Sequence, residues 1–256
     1  MLGSLFAGSI AFFVFYLLLL VIALLEFYRL LEDNGLIVHK FTALFASILL
    51  FVLLFGYSSG QISSRWLGLM ILFPPFMMIT ELYRKKGNPF NNLSGTFFGI
   101  IYVALPLCLL SIIVFPGEVV NNHFYPGILA GIFILIMVND TAAFLIGVPF
   151  GRHRLFKRVS PKKSWEGTIG GGIVVLIAAF FMSELFPLPE RAHWLVLGFL
   201  VLVFGTYGDL AESQFKRGLG IKDSGKILPG HGGVLDRIDA WFFVIPAVLV
   251  YLNFIF

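Results

Sequence analysis

Charged residues are scarce in this sequence: 12% of its 256 residues are charged, whereas 59% are hydrophobic. Soluble domains carry about 25% charged and about 45–50% apolar residues. So little polar surface cannot cover a water-soluble globule, and that class is excluded. A single cysteine, Cys108, excludes a disulfide framework within the chain. A cleavable signal peptide is not expected, because no positively charged segment precedes the first apolar run.

Long apolar runs are abundant, and a membrane span needs about 20 such residues. We therefore predict an all-α, polytopic integral membrane protein with about eight transmembrane helices. The predicted spans are Leu5–Leu25, Phe41–Tyr57, Trp66–Leu82, Leu93–Phe115, Pro126–Val148, Thr168–Phe186, His193–Gly208 and Ala240–Phe256. The pair Pro74-Pro75 should kink the third span. Spans one to four form a predicted N-terminal unit, residues 1–125. Spans five to eight form a C-terminal catalytic unit, residues 126–256, with loops 149–167 and 209–239.

The basic residues are distributed unevenly among the predicted loops. Sixteen of the 18 Lys and Arg fall after spans one, three, five and seven, and the alternate loops hold only Arg65 and Arg191. Because Lys and Arg accumulate in cytoplasmic loops, this bias predicts that the four basic loops face the cytoplasm. The short chain without targeting signals indicates a multi-pass protein of a bacterial inner membrane.

Acidic residues are few, so their positions are informative. Asp140 lies inside an apolar span, where a carboxylate is costly and should face a polar cavity. Asp209 closes span seven, and Asp236 and Asp239 precede span eight. If these carboxylates converge, Mg²⁺ is the cation that suits hard oxygen ligands. The alternatives are helix packing for Asp140 and helix capping for Asp236.

Two basic, glycine-containing loops accompany these acids. The first contains Ser160-Pro-Lys-Lys-Ser-Trp-Glu-Gly167, and the second runs from Ser213 to Asp239 through Pro229-Gly-His-Gly-Gly233. Point cations and backbone N–H groups bind phosphoryl oxygens, so the loops predict a nucleoside triphosphate site. The simpler alternative is a positive anchor for anionic lipid headgroups.

The second loop resembles the signature of the phosphatidate cytidylyltransferase (CDP-diacylglycerol synthase) family throughout its length. It reads Ser-x-Phe-Lys-Arg, four residues, Lys-Asp, and then Pro-x-His-Gly-Gly-x-x-Asp-Arg-x-Asp. The upstream segment Gly208-Asp-Leu-Ala-Glu212, the Ser160–Gly167 string and Asn139-Asp-Thr141 are similar to further family blocks. Ser164 stands where threonine is more common and keeps the hydroxyl. In the first half of the chain the resemblance covers only hydropathy and Glu26-Phe-Tyr28.

The resemblance implies transfer of the cytidylyl group of CTP to phosphatidic acid, which yields CDP-diacylglycerol and pyrophosphate. It also implies Mg²⁺ dependence, with the presence of a second metal ion left open, and a homodimer. No nucleic-acid partner is expected. We assign catalytic roles to Asp209, Asp236, Asp239 and Lys222, and metal binding to Asp140, Asp209, Asp236 and Asp239. The candidate substrate contacts are Ser160, Lys162, Lys163, Ser164, Glu166, Ser213, Lys216, Arg217, His231, Gly232, Gly233 and Arg237.

Three other readings compete with this one. A CTP-using polyprenol or dolichol kinase-like enzyme would share membrane embedding and nucleotide use, but the Ser213–Asp239 signature argues against it. An ion-coupled transporter would fit Asp140 within a span, yet such folds often contain inverted repeats, and none is found in the sequence. A structural scaffold would not need clustered carboxylates.

Overall fold

The computed structural model describes residues 1–117, 123–221, 224–225 and 232–255. The chain is helical almost throughout, which confirms the predicted fold class. The helices are α1 (Leu2–Phe6), α2 (Ser9–Asp33), α3 (Lys40–Ser58), α4 (Phe73–Arg84), α5 (Pro89–Gly99), α6 (Leu105–Ile113), α7 (Gly127–Phe150), α8 (Trp165–Leu185), α9 (Arg191–Gly218), α10 (Leu235–Ile238) and α11 (Trp241–Leu252). A 3₁₀ segment, Ser64–Leu72, precedes α4, and a π-helical segment, Ile100–Ala104, joins α5 to α6.

Seven helical stretches of the described chain are long and apolar enough to cross a membrane. They are Ser9–Asp33, Lys40–Ser58, Ser64–Arg84, Pro89–Ile113, Gly127–Phe150, Trp165–Leu185 and Arg191–Gly218. Each corresponds to one of the first seven predicted spans. The eighth predicted span contains α11, which has only 12 residues. At 1.5 Å per residue, α11 is about 18 Å long and is shorter than the hydrocarbon core of about 30 Å.

Prolines mark the interruptions of the helical stretches. The third stretch changes from 3₁₀ to α geometry at Phe73, directly before Pro74-Pro75, where a break was predicted. Proline lacks a backbone N–H and is best tolerated in the first turn of a helix. Pro149 of α7 and Pro246 of α11 lie inside their helices, so only some prolines of this chain coincide with an interruption. The fourth stretch passes through its π-helical segment just before Pro106.

Both predicted catalytic loops contain regular structure that was not predicted. Within loop 149–167, strands β1 (Arg154–Phe156) and β2 (Ser160–Ser164) form an antiparallel hairpin, in which Phe156 pairs with Ser160. Within loop 209–239, residues up to Gly218 continue α9, ten residues beyond the predicted end at Gly208. Asp209 and Lys216 are therefore helical residues, and their positions are fixed by the same rigid element.

One hydrophobic core includes residues from both halves of the chain. Trp241 of α11 stacks on Phe133 of α7 at 4.0 Å between ring centroids and lies 6.4 Å from the ring of Tyr16 in α2. All three rings are buried. Helix α2 of the first half is thus packed directly against α11 and against α7, which carries Asp140.

A buried polar cluster joins the ends of α3, α4 and α5. The imidazole of His39 pairs with the carboxylate of Glu81, which also accepts a hydrogen bond of 2.7 Å from the amide of Asn92. The backbone N–H of His39 donates to Thr96 Oγ1 at 2.9 Å. Buried polar groups are costly unless they are hydrogen-bonded, and here each finds a partner. The cluster fixes two of the four predicted basic loops at one end of the helices.

Candidate active site

A polar cavity of about 560 Å³ lies where α7, α8 and α9 meet the β hairpin and α10. Side chains from all four motif blocks in the second half of the chain contribute to its walls. The predicted site residues that line it are Asp140, Lys162, Lys163, Ser164, Asp209, Asp236 and Asp239. Two basic loops and four aspartates, distant in the sequence, therefore share one cavity.

Glycines allow the helices around the cavity to approach closely. A Cβ on Gly167 of α8 would lie 2.7 Å from the carbonyl oxygen of Ala143 and 2.9 Å from Cα of Gly147, both in α7. A Cβ on Gly208 of α9 would lie 3.0 Å from the carbonyl oxygen of Asp239. Any larger residue would push these backbones apart. The glycines thus bring Asp209, the neighbour of Gly208, close to Asp239.

The aspartates of the cavity influence one another. Burial, and then the negative charge of Asp209, raise the pKa of Asp239 above its ordinary value, and Asp140 adds to this effect. Asp239 Oδ1 accepts a hydrogen bond of 2.7 Å from the N–H of Ala240. Close carboxylates that repel one another favour a bound proton or cation. The cavity is therefore suited to binding positive charge.

Hairpin lysines face these acids. Lys163 forms an ion pair with Asp209, whose other carboxylate oxygen accepts a hydrogen bond of 3.3 Å from the hydroxyl of Ser213. The carbonyl oxygen of Lys162 accepts a bond of 3.1 Å from Arg154, which also lines the cavity. The hairpin thus supplies three cations to the cavity. Because both signs of charge are present, the cavity suits a ligand of metal-bound phosphates.

Asp236 is the centre of a second network. Its Oδ1 accepts a bond of 2.5 Å from Lys216, and its Oδ2 accepts bonds from the N–H groups of Ser224, at 3.0 Å, and Gly233, at 2.9 Å. Burial raises the pKa of Asp236, but these bonds outweigh burial and hold the pKa below its ordinary value. Lys216 also lies 3.4 Å from the buried carboxylate of Glu212. Asp236 therefore orders the surrounding chain as well as lining the cavity.

Two residues at the start of α8 hold the hairpin in place. The hydroxyl of Ser164 accepts a bond of 3.2 Å from the N–H of Gly167 and caps the helix. The carboxylate of Glu166 accepts bonds of 3.1 Å from the N–H groups of Arg152 and His153, and one of 2.6 Å from the His153 ring. Glu166 does not line the cavity. Its contacts are with the chain rather than with the predicted substrate site.

The remaining predicted substrate residues lie around the cavity rather than in its walls. Arg217 and Arg237 have exposed side chains, and Gly233 is buried. The predicted residues that do not line the cavity are Ser160, Glu166, Ser213, Lys216, Arg217, Gly232, Gly233 and Arg237. Lys222 and His231 lie outside the described residues.

The carboxylates of the cavity are candidate ligands for Mg²⁺. In the described ranges, no group of three or more His, Cys, Asp or Glu is arranged to hold a metal ion. Mg²⁺, however, is usually bound by one or two carboxylates together with water and substrate phosphates. Asp209 and Asp239 provide such carboxylates in one cavity, so the residues fit a Mg²⁺ ion shared with a triphosphate.

Sequence reasoning missed several residues of this region. Asn139, Arg154 and Thr206 line the cavity. Glu26 of α2 is only 4% exposed, and its carboxylate is hydrogen-bonded to the chain around Ser224. The signal for Glu26 was present, because a carboxylate at the end of an apolar span requires a partner. Its partner, 198 positions away, could not be identified from the sequence.

Comparisons with known proteins show the family to which the chain belongs. Residues 1–255 match the model described as "Cytidylyltransferase family". A Staphylococcus aureus (strain COL) protein named phosphatidate cytidylyltransferase is 34% identical over 253 residues, covering 91% of this chain and 96% of the relative. A protein of the same name from Staphylococcus haemolyticus is 32% identical over 252 residues, covering 96% of this chain and 91% of the relative. One from Staphylococcus epidermidis (strain ATCC 35984) is 34% identical, covering 91% of this chain and 96% of the relative.

Proposed function

The chain belongs to the cytidylyltransferase family, and from this premise we propose that it transfers the cytidylyl group of CTP to phosphatidic acid. The products are CDP-diacylglycerol and pyrophosphate. The observation that carries the proposal is the single cavity in which Asp209, Asp239 and the hairpin lysines meet. The names of the relatives support the choice of phosphatidic acid as acceptor.

In this proposal, the cations of the cavity bind the triphosphate. Lys162, Lys163 and Arg154 line it from the hairpin side. Phosphate oxygens would compete with Asp209 for Lys163, so that the ion pair opens when CTP binds. Cations that are already held near the transferred group need little reorganisation during the reaction, which is the main source of electrostatic catalysis. Lys216, Arg217, Lys222, His231 and Arg237 stay predicted contacts around the cavity.

Asp209 and Asp239 would hold Mg²⁺, and Asp140 and Asp236 are the next candidates. The ion, when bound, neutralises charge on the triphosphate and on the leaving pyrophosphate. Whether a second metal ion takes part stays open. No strong general base is needed in the chain, because the attacking phosphate of phosphatidic acid is already an anion.

The proposed chemistry is an in-line displacement. An oxygen of the phosphatidic acid phosphate forms a bond to the α-phosphorus of CTP, and the bond from that phosphorus to the β-phosphate oxygen breaks. The electron pair leaves with pyrophosphate. Lys163 and Arg154 offset the repulsion between the two anions. Phe144 and Val148 of α7 line the same cavity and are exposed, which gives the apolar part of a lipid substrate a place to lie.

The location of this chemistry follows from the two substrates. Phosphatidic acid lies in the bilayer and CTP is soluble, so the cavity should open at the cytoplasmic face of the inner membrane. The bias of Lys and Arg toward one set of loops supports this orientation. A homodimer, and a division into units 1–125 and 126–256, are further parts of the proposal.

The test is to follow the label of CTP into lipid. Purified protein in detergent micelles with phosphatidic acid is given CTP labelled at the α or at the γ phosphate. The proposal predicts Mg²⁺-dependent transfer of the α label to lipid and release of the γ label as pyrophosphate. Label transferred to lipid from the γ position would identify a kinase and would contradict the proposal.

A matched pair of variants tests the site itself. Asp209→Asn should lower the rate by a factor on the order of 10²–10³, the usual effect of losing a charge-stabilising group. Asp33→Asn is the control, because the side chain of Asp33 is 67% exposed and pairs only loosely with Arg29, at 3.9 Å. Equal rates for the two folded variants would show that this cavity is not the active site.

A further inference from the structure

We propose that Glu26 is a positioning residue that fixes the chain segments around Asp236 from the N-terminal half of the protein. Glu26 lies near the end of α2, in the part of the chain that the sequence analysis separated from the catalytic unit. Its kinetic consequences rest on the proposed function. The structural consequences do not and are tested separately.

The contacts of Glu26 join residues that are 198 to 209 positions apart in the sequence. Its Oε1 accepts a hydrogen bond of 3.1 Å from the Ser224 hydroxyl. Its Oε2 accepts bonds of 2.8 Å from the N–H of Val234 and 3.2 Å from the N–H of Leu235. All three bonds are buried, and a buried donor left without an acceptor is costly, so the three donors depend on this carboxylate. One carboxylate thus joins two segments separated by residues outside the described ranges.

The glycines next to these segments fit the carboxylate closely. A Cβ built on Gly225 or on Gly233 would overlap Glu26 Oε1. Neither glycine has a positive φ, so backbone conformation does not require glycine at these two positions. Glycine is required at both positions because the Glu26 carboxylate occupies the space that a Cβ atom would need.

The same segments hold Asp236. The N–H of Ser224 and the N–H of Gly233 both donate to Asp236 Oδ2. Ser224 therefore donates one hydrogen bond from its hydroxyl to Glu26 and another from its N–H to Asp236. Through this shared residue, a displacement of Glu26 moves the partners that orient Asp236 in the cavity wall.

Phe27, the residue after Glu26, contacts α9, the helix that carries Lys216. Phe27 stacks on Phe215 of α9 at 5.2 Å between ring centroids, with the rings 16° from parallel. Phe215 precedes Lys216, the cation paired with Asp236. Two consecutive residues of α2 therefore contact both elements that position Asp236, which indicates that the N-terminal helices help to build the site.

Hydrogen exchange tests the contact without reference to activity. The proposal predicts that the Val234 and Leu235 amides of the full-length protein in detergent exchange at least tenfold faster in Glu26→Ala. Glu32→Ala is the matched control, because Glu32 lies on the same helix and pairs with Lys40, where both side chains are partly exposed. Unchanged exchange in a folded Glu26→Ala variant would overturn the inference whatever reaction the protein catalyses.

A double-mutant cycle tests the positioning role. Glu26→Ala should lower kcat for CDP-diacylglycerol formation at least tenfold, and Glu26→Gln should retain most of it, since its carbonyl oxygen can still accept from Val234 and Leu235. Gly225→Ala should also lower kcat, because its methyl group overlaps Glu26. In the Glu26→Ala background, where that overlap is gone, Gly225→Ala should have almost no further effect.

The proposal is overturned if the effects of Glu26→Ala and Gly225→Ala on kcat multiply in the double variant. It is also overturned if kcat falls as far in Glu26→Gln as in Glu26→Ala. If Glu26→Ala does not fold, Glu26→Gln and Ser224→Ala provide the comparison. Ser224→Ala removes one of the three bonds and should accelerate Val234 exchange less than removal of the carboxylate does. Absence of cytidylyl transfer in the wild-type protein would refute the proposed function and leave the exchange result intact.

Discussion

Lys216 neutralises a buried acidic cluster, so its replacement should destabilise the protein. Its Nζ lies 2.5 Å from Asp236 and 3.4 Å from Glu212. All three side chains are largely buried: the exposed fraction is 12% for Lys216, 15% for Asp236 and 4% for Glu212. In Lys216→Met the aliphatic volume is kept and the charge is lost, so two carboxylates stay buried without this cation.

The magnitude follows from the cost of an unpaired buried charge. Breaking a buried ion pair by removing one partner costs about 3–5 kcal/mol. In a chain of this size each kcal/mol lowers the melting temperature by about 2–4 °C, so Lys216→Met should melt about 6–20 °C below wild type. The assay is thermal unfolding in detergent, followed by tryptophan fluorescence.

Two comparisons make this prediction refutable. Lys157→Met removes an exposed lysine of the hairpin, and exposed substitutions usually change stability by about 0.5 kcal/mol or less. The double variant Lys216→Met/Glu212→Gln should regain part of the loss, because it removes one of the two acidic side chains left without Lys216. If Lys216→Met had the same melting temperature as Lys157→Met, Lys216 would not be neutralising a buried cluster.

Two further predictions concern the α7–α8 contact and the hairpin. Gly167→Ala places a methyl group against Ala143 and should destabilise the protein by about 1–3 kcal/mol, the usual cost of overpacking. Gly218→Ala, with nothing within 4 Å, should be neutral in the same melting assay, and equal effects would refute the close contact. Glu166→Ala frees the N–H groups of Arg152 and His153 and should raise KM for CTP more than it lowers kcat. A pure kcat effect in steady-state assays would instead indicate a direct catalytic role.

Hydropathy predicted the membrane architecture because the length of a span is set by the bilayer. Seven predicted spans correspond to helices of sufficient length in the described chain. Hydropathy marks where a helix leaves the apolar region and not where the helix ends. It therefore missed the continuation of α9 to Gly218, and it did not show that α11, within the eighth predicted span, has 12 residues.

The site was predictable as a set of residues but not as a set of contacts. The motif strings identified Asp140, Lys163, Asp209 and Asp239, which line one cavity. The sequence could not show that Glu166 binds the backbone of its own loop, because the partner groups are backbone N–H groups, which every residue except proline possesses. The hairpin was missed for a different reason. Its strands have only three and five residues, which is too short for a periodic pattern of apolar residues to be recognised in the sequence.

The most direct test of the proposed mechanism is divalent-cation binding at the cavity in the presence of CTP. Electron paramagnetic resonance of Mn²⁺, used in place of Mg²⁺, measures free ion in the presence of the purified protein and CTP. The mechanism predicts that wild type and Asp33→Asn bind Mn²⁺ beyond the amount bound by CTP alone. It also predicts that Asp209→Asn and Asp239→Asn lose this binding. Equal Mn²⁺ binding by wild type and the folded Asp209→Asn and Asp239→Asn variants would contradict the placement of the metal and triphosphate in this cavity.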